Sequence, residues 1–312
     1  MNITKKTRIY VAGCGGMLGE AVYNHFSPIA ELMATDIDTN ESWLGYADVR
    51  DYLSINRSIE EFQPNIIINL AALTDLEECE EDKENAWLTN GLGAENLVLI
   101  ASKLNATLIH ISTAGIFDGK KEFYSDFDSP NPMGTYAKSK YYAETIVSTN
   151  LEKYYVFRAG WMMGGGPIKD KKFINKIYQQ IRDGVEELNV VDDKLGTPTY
   201  TLDFTLGIQT LIESDLYGLY NQVCGGSGSR YDVAVEFVRL MDLEDKVKIN
   251  KVSSEFYKEE YFALRPDSEK LLNIKLDARN LNVMRDWEIC LSEYVELFKE
   301  DYAIKNNISP DS

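Results

Sequence analysis

The chain has 312 residues, 44% of them hydrophobic, and a formal net charge of −18. That length and apolar content suffice for a large core, in one big domain or one large plus one small, and no apolar run approaches the ~18 residues of a membrane helix. The charge argues against nucleic acid or an anionic membrane as partner, since both need basic patches. A phosphate-bearing ligand would need local relief from backbone N–H groups and a few Lys or Arg.

The elements alternate from the start. Residues 1–7 are polar with two lysines and carry no signal peptide, so the cytoplasm is the default. Residues 8–12 read as a buried strand and 16–26 as a helix. Residues 31–35 form a short second strand ending at Asp36, and a helix follows near 52–62. Pro64 precedes the near-continuous apolar run 65–70, the mark of a strand buried on both faces of a parallel sheet. The acidic run 77–84 is expected to be a solvated helix face. A helix over 93–104 precedes a strand at 106–111, whose His110 reads as a strand residue rather than a base. Residues 136–149 are helical and 154–158 a strand.

This βαβα order predicts an α/β fold built on a doubly wound parallel sheet of the Rossmann type. After about Gly160 the order loosens. Gly164-Gly165-Gly166-Pro167 reads as a flexible loop. Helical patterns recur at 173–182, 204–213 and 232–241, and short strands at 188–191, 218–223 and 247–252. The predicted division is 1–160 as a dinucleotide-binding domain and 161–312 as a smaller α/β substrate domain, some of whose elements return to the main sheet. The tail after Ala303 is polar and expected to fray.

Four scattered cysteines (Cys14, Cys79, Cys224, Cys290) contain no Cys-x-x-Cys and read as reduced thiols. With only two histidines, His25 and His110, a histidine-built metal site or a Ser-His-Asp triad is poorly supplied, and no metal ligand is assigned.

Gly13-x-x-Gly16-x-x-Gly19 lies between the first strand and the first helix, the context in which such a motif carries weight. Glycines let the chain turn tightly and approach a pyrophosphate. The helix N-terminus, with Met17 and Leu18, offers unpaired N–H groups and a partial positive charge. Asp36 lies about 20 residues on, the offset of a ribose-binding carboxylate. Asp38 is close and no Arg follows at once, so a 2′-phosphate would meet negative charge; NAD(H) is favoured over NADP(H). Asp48 and Val49 are candidates for the adenine. Leu70, Ala71 and Ala72 end the third strand, where small residues let backbone pass the cofactor's middle.

Tyr136-Ala137-Lys138-Ser139-Lys140 places a Tyr one helical turn before a Lys, on one face. Tyr titrates near ~10, and Lys140 is expected to lower that value and to hold the nicotinamide ribose. Tyr136 can then protonate a carbonyl oxygen as its carbon is reduced. Thr113 follows the 106–111 strand at the carboxyl end where α/β sites gather, and can hydrogen-bond the same oxygen.

At these residues the chain resembles the extended short-chain dehydrogenase/reductase superfamily, and more narrowly the dTDP-4-dehydrorhamnose reductase family. The likeness runs from about Arg8 to Leu297. It rests on the glycine turn, Asn69-Leu70-Ala71-Ala72-Leu73-Thr74, Phe117-Asp118-Gly119, Asn131-Pro132 and the Tyr-x-x-x-Lys. Arg158-Ala159-Gly160-Trp161, Lys172-Phe173, Gly196-Thr197-Pro198-Thr199 and Arg265-Pro266 continue it. The resemblance implies Thr113, Tyr136 and Lys140 as catalytic residues, Trp161 as a wall against the sugar, and Arg265 on the pyrophosphate of a nucleotide sugar. It implies reduction of the C4 keto group of a nucleotide-activated 6-deoxy-4-keto hexose, and a homodimer. One departure stands out: the family usually has Asp-Tyr after the catalytic Thr, and this chain has Ala114-Gly115. A different sugar is the expectation, because sites that hydrogen-bond a hydroxyl discriminate strongly. Ala114-Gly115 also lacks the acid pair of the related 4,6-dehydratases. A nucleotide-sugar epimerase and a non-catalytic dinucleotide-binding regulatory subunit remain open alternatives.

Overall fold

Burial on both faces fixes the centre of the molecule. In the computed structural model, which describes residues 1–305, six strands of the first half lie parallel in one sheet: β1 (Arg8–Ala12), β2 (Glu31–Asp36), β3 (Leu44–Tyr46), β4 (Ile66–Asn69), β5 (Thr107–Thr113) and β6 (Tyr154–Ala159). Between them run α1 (Met17–Phe26), α2 (Tyr52–Phe62), α3 (Leu76–Glu81), α4 (Lys83–Ala86), α5 (Gly93–Leu104) and α6 (Thr135–Asn150). Alternation along a strand sends successive side chains to opposite faces. Ile66 and Ile68 accordingly join Val11, Val22 and Phe26 on one side. Ile67 joins Tyr10, Ile55, Ile59 and Leu97 on the other. Helix α2 starts where Asp51 accepts the Ser54 N–H and stops at a left-handed Gln63, and its Ile55, Ile59 and Phe62 are the buried stripe.

The second half contributes β7 (Trp161–Met163), β8 (Glu187–Val191), β9 (Leu195–Gly196), β10 (Pro198–Tyr200), β11 (Gly218–Asn221), β12 (Gly228–Ser229) and β13 (Lys248–Val252). Its helices are α7 (Gly166–Lys169), α8 (Phe173–Arg182), α9 (Thr201–Ser214), α10 (Arg230–Leu240), α11 (Ile274–Ala278) and α12 (Trp287–Lys305). Strand β11 pairs with β6, giving the sheet order β11-β6-β5-β4-β1-β2-β3. The order reverses between β1 and β4, the switch point beside which open α/β sheets bind ligands. Phe204 and Ile208 of α9 lie in the same cluster as α1. A separate cluster, with Tyr178, Leu188, Phe237, Tyr294 and Phe298, holds α8, α10 and α12 around the parallel pair β8–β13.

Three expectations change. The acidic run is not simply solvated: Glu77 forms an ion pair with Arg265, and Glu80 accepts the Thr135 N–H at 2.5 Å and its hydroxyl at 2.9 Å, capping the start of α6. The 164–167 segment is not all loop, because Pro167 fits the first turn of α7. The tail remains helical through Lys305; the rest of that expectation falls on residues 306–312, outside the described residues. Among the described residues no helix is long and apolar enough to cross a membrane, and no group of His, Cys, Asp and Glu could hold a metal ion.

Candidate active site

The chain leaves β1 at Gly13 with φ of 78°, a conformation that favours glycine. A Cβ at Gly13 would stand 2.3 Å from the Ala71 nitrogen, and one at Gly19 would stand 2.1 Å from the Cys14 carbonyl oxygen. Both glycines therefore let α1 close on the sheet. Gly16 differs: a Cβ there would meet nothing within 4 Å. Open space thus lies at the N-terminus of α1, and no side chain caps that helix. The N–H groups of Met17 and Leu18 face it as a site fit for a pyrophosphate.

Asp36 ends β2 and accepts the Gly15 N–H at 2.8 Å and the Asp38 N–H at 3.0 Å. Lys169, which sequence reasoning missed, reaches the same corner: its Nζ lies 3.4 Å from the Gly15 carbonyl and 2.7 Å from Glu41. Asp48 is held by Arg50 at 2.7 Å, which keeps its carboxyl below its ordinary value. Val49 is buried against Gly93. Leu70 donates to the Ala12 carbonyl, Ala71 to Asn69 Oδ1, and both stand half-buried beside Ala72 at the end of β4. Asn90, also missed, accepts the Leu73 N–H at 2.8 Å and donates to Ser139 at 3.1 Å, tying that edge to α6.

Thr113 ends β5, and Tyr136 and Lys140 lie one turn apart on α6. Tyr136 hydrogen-bonds Thr113, yet burial pushes its phenol up to about 12. This corrects the expectation that Lys140 would lower it. Desolvation dominates, nearby Cys79 and Glu269 add to it, and only the Thr113 bond opposes it. Burial likewise brings Lys140 down to about 8, against the pull of Glu144. Glu144 forms a buried ion pair with Arg158 on β6 and accepts the Ser112 hydroxyl at 2.9 Å. Breaking such a pair costs about 3–5 kcal/mol, so α6 is pinned to β5 and β6 one turn beyond Lys140. His110 is a buried strand residue whose Nδ1 meets Asn69 at 3.1 Å, and burial keeps its imidazole well below its ordinary value.

Trp161 opens β7. Its ring lies over Gly196, where a Cβ would come within 2.3 Å. The Arg230 guanidinium stacks 3.8 Å from the ring centroid, and the indole N–H donates to Glu269 Oε2 at 2.6 Å. Arg230 and Glu269 carry no local sequence signal. Arg265 forks onto Glu77 at 2.7 and 2.8 Å and stands over Tyr261. Lys172 bonds Thr74 at 2.9 Å across the two halves. A cleft lined by Met17, Glu20, Tyr200 and Tyr294 opens beside the start of α1 and includes none of Thr113, Tyr136 and Lys140.

The chain matches the family described as RmlD substrate binding domain over residues 7–300. It is 29% identical over 292 residues to the spore coat polysaccharide biosynthesis protein SpsK of Bacillus subtilis, covering 93% of this chain and 97% of that one. Among solved structures, a dTDP-4-dehydrorhamnose reductase from Clostridium acetobutylicum is 32% identical, with a TM-score of 0.84 over 94% of this chain and all of the other. The dTDP-4-dehydrorhamnose reductase of Bacillus anthracis, solved in complex with NADP, is 27% identical with a TM-score of 0.84, covering 93% and 98% of the two chains.

Proposed function

The chain belongs to the RmlD substrate binding domain family, and from that premise we propose that it is an NAD(P)H-dependent reductase of the C4 keto group of a nucleotide-activated 6-deoxy-4-keto hexose. The observation that carries this reading is the meeting of Thr113, Tyr136 and Lys140 at the carboxyl end of the sheet, in a fold whose α1 N-terminus opens onto free space.

When bound, the dinucleotide supplies the reducing hydride. Gly13, Gly16, Met17, Leu18 and Gly19 would hold its pyrophosphate, Asp36 its adenosine ribose, and Asp48 and Val49 its adenine. Leu70, Ala71 and Ala72 would line its middle, and Lys140 the nicotinamide ribose. Thr113 and Tyr136 hydrogen-bond the C4 oxygen, and Tyr136 gives it the proton. A phenol near 12 is protonated in neutral solution, which is the form that reduction consumes. Trp161 walls the sugar, and Arg265 takes the nucleotide's phosphates once it leaves Glu77. Residues 1–160 mainly serve the cofactor and 161–312 the nucleotide sugar, with α9 and β11 returning to the main sheet; the second core around α8, α10 and α12 supports this division. Four unpaired buried thiols suit the cytoplasm.

We favour NAD(H), because a 2′-phosphate beside Asp36 and Asp38 would meet negative charge; Lys169 at the same corner and the NADP complex of the Bacillus anthracis relative make NADPH the arm to compare. The test mixes the protein with NADH or NADPH and a dTDP-4-keto-6-deoxy-hexose made in situ, and follows reduced-cofactor absorbance. Tyr136→Phe should cut turnover roughly a hundred- to ten-thousand-fold with NADH affinity nearly unchanged. Turnover retained in that variant removes Tyr136 from the chemistry. No turnover, with dinucleotide carried through purification, points instead to an epimerase.

A further inference from the structure

The carboxylate of Glu269 has two ends with different surroundings. Oε2 receives the Trp161 indole N–H at 2.6 Å. Oε1 looks the other way, to a point 3.0 Å off where a Cβ on Gly115 would stand; Thr113 Oγ1 lies 3.5 Å from that same point. With no side chain at Gly115, the Glu269 carboxylate comes up beside the Thr113 hydroxyl, into a position from which a Cβ at 115 would push it. Here Ala114-Gly115 departs from the family pattern.

The carboxylate is firmly built in. The Glu269 N–H donates to the Leu195 carbonyl at 2.8 Å, and Leu195 begins β9, whose Gly196 carries the Trp161 ring. Upstream, Pro266 and Asp267 pack on Gly119, where a Cβ would come within 2.4 Å of the Asp267 nitrogen. Arg230, stacked on Trp161, draws on Glu269 electrostatically. Burial nonetheless holds the carboxyl above its ordinary value, so ionisation is favoured by a further donor.

We propose that Glu269 is a specificity-determining residue that accepts a hydrogen bond from the hydroxyl on the ring carbon next to the reacting carbonyl. Oxygens on neighbouring ring carbons are spaced about like hydrogen-bond partners, so Thr113 and Glu269 can take one each. A neutral hydroxyl fits better than an ammonium, because Arg230 already supplies the local positive charge. A sugar lacking that hydroxyl leaves a buried carboxylate oxygen unpaired, which is the stronger form of discrimination. The inference rests on the reading of the site as one for keto sugars.

The test compares a nucleotide-linked 4-keto-6-deoxy hexose with its 3-deoxy counterpart, in wild type, Glu269→Gln and Glu269→Ala. Wild type should prefer the hydroxylated sugar in kcat/KM by roughly 10- to 100-fold. The preference should shrink in Glu269→Gln and approach unity in Glu269→Ala, with NADH affinity constant throughout as the check on folding. Equal losses for both sugars would mean that Glu269 only anchors Trp161, and would overturn the proposal while the reductase stands. Binding of the two reduced nucleotide sugars, read by tryptophan fluorescence, gives a turnover-independent arm. Discrimination there without turnover upholds Glu269 and sinks the reductase; absence of discrimination in both arms sinks the proposal.

Discussion

Tyr136 and Lys140 share a helix face, and burial moves both toward their neutral forms, the phenol to about 12 and the amine to about 8. Below about 8 Lys140 is charged while Tyr136 keeps its proton, the combination that proton donation needs. The reductive kcat/KM should therefore fall as pH rises through about 8, approaching tenfold per unit for a single ionisation. Stability should move the other way. The folded-state pKa of Lys140 is depressed, so the folded protein binds fewer protons than the unfolded chain above about 8, and stability rises with pH there. The clean window closes near 9, where Cys14 and Cys79, raised to about 12, begin to oppose it. Activity and thermal midpoint measured across that window should diverge; a parallel fall would mean unfolding rather than titration. The Tyr-x-x-x-Lys spacing is legible in the sequence because it is local to one helix. Glu269 and Arg230 are not, since nothing near them separates them from the chain's many other charged residues; only the pairing of β9 with β12 and the bridge between Leu195 and Ser268 bring them to Trp161, whose ring lies on Gly196.

The glycine turn and α1 give a test in which two similar substitutions part ways. Gly19→Ala drives a methyl into the Cys14 backbone and should lower stability by about 1–3 kcal/mol. Gly16→Ala enters open space with φ of −90°, which alanine tolerates. It should leave the thermal midpoint nearly unchanged and weaken NADH binding, because the methyl would occupy the pyrophosphate's place. Unfolding curves and NADH titration of both variants check this. Elements with long apolar or helical periods, such as β4 and α2, are readable from sequence because burial on one or both faces writes the pattern. Strands of two or three residues, β3, β9 and β12, carry too few positions to write one. Strand β11 is readable as a strand at 218–223, but its parallel partner β6 comes from the shape of the whole sheet.

A net charge of −18 leaves the molecule repelling itself, and many of its cations are already engaged, as Arg50 with Asp48, Arg265 with Glu77 and Arg285 with Asp203. Exposed pairs contribute little, about 0–1 kcal/mol each, so screening the repulsion should outweigh screening the attractions. Raising sodium chloride from about 0.02 M to about 0.5 M at neutral pH, which shortens the Debye length severalfold, should raise the thermal midpoint by a few degrees. A lower midpoint in high salt would show that the ion pairs carry more than the repulsion takes. The place of β11 at the sheet's edge, outside β6, has a further bearing on how the protein is made. During synthesis β1 to β6 emerge first, yet β6 must wait, its outer row of N–H and C=O groups unpaired, until Asn221 has left the ribosome. An uncovered strand edge invites pairing with another chain. A ribosome stalled between β6 and β11 would therefore hold a nascent chain that is prone to aggregate.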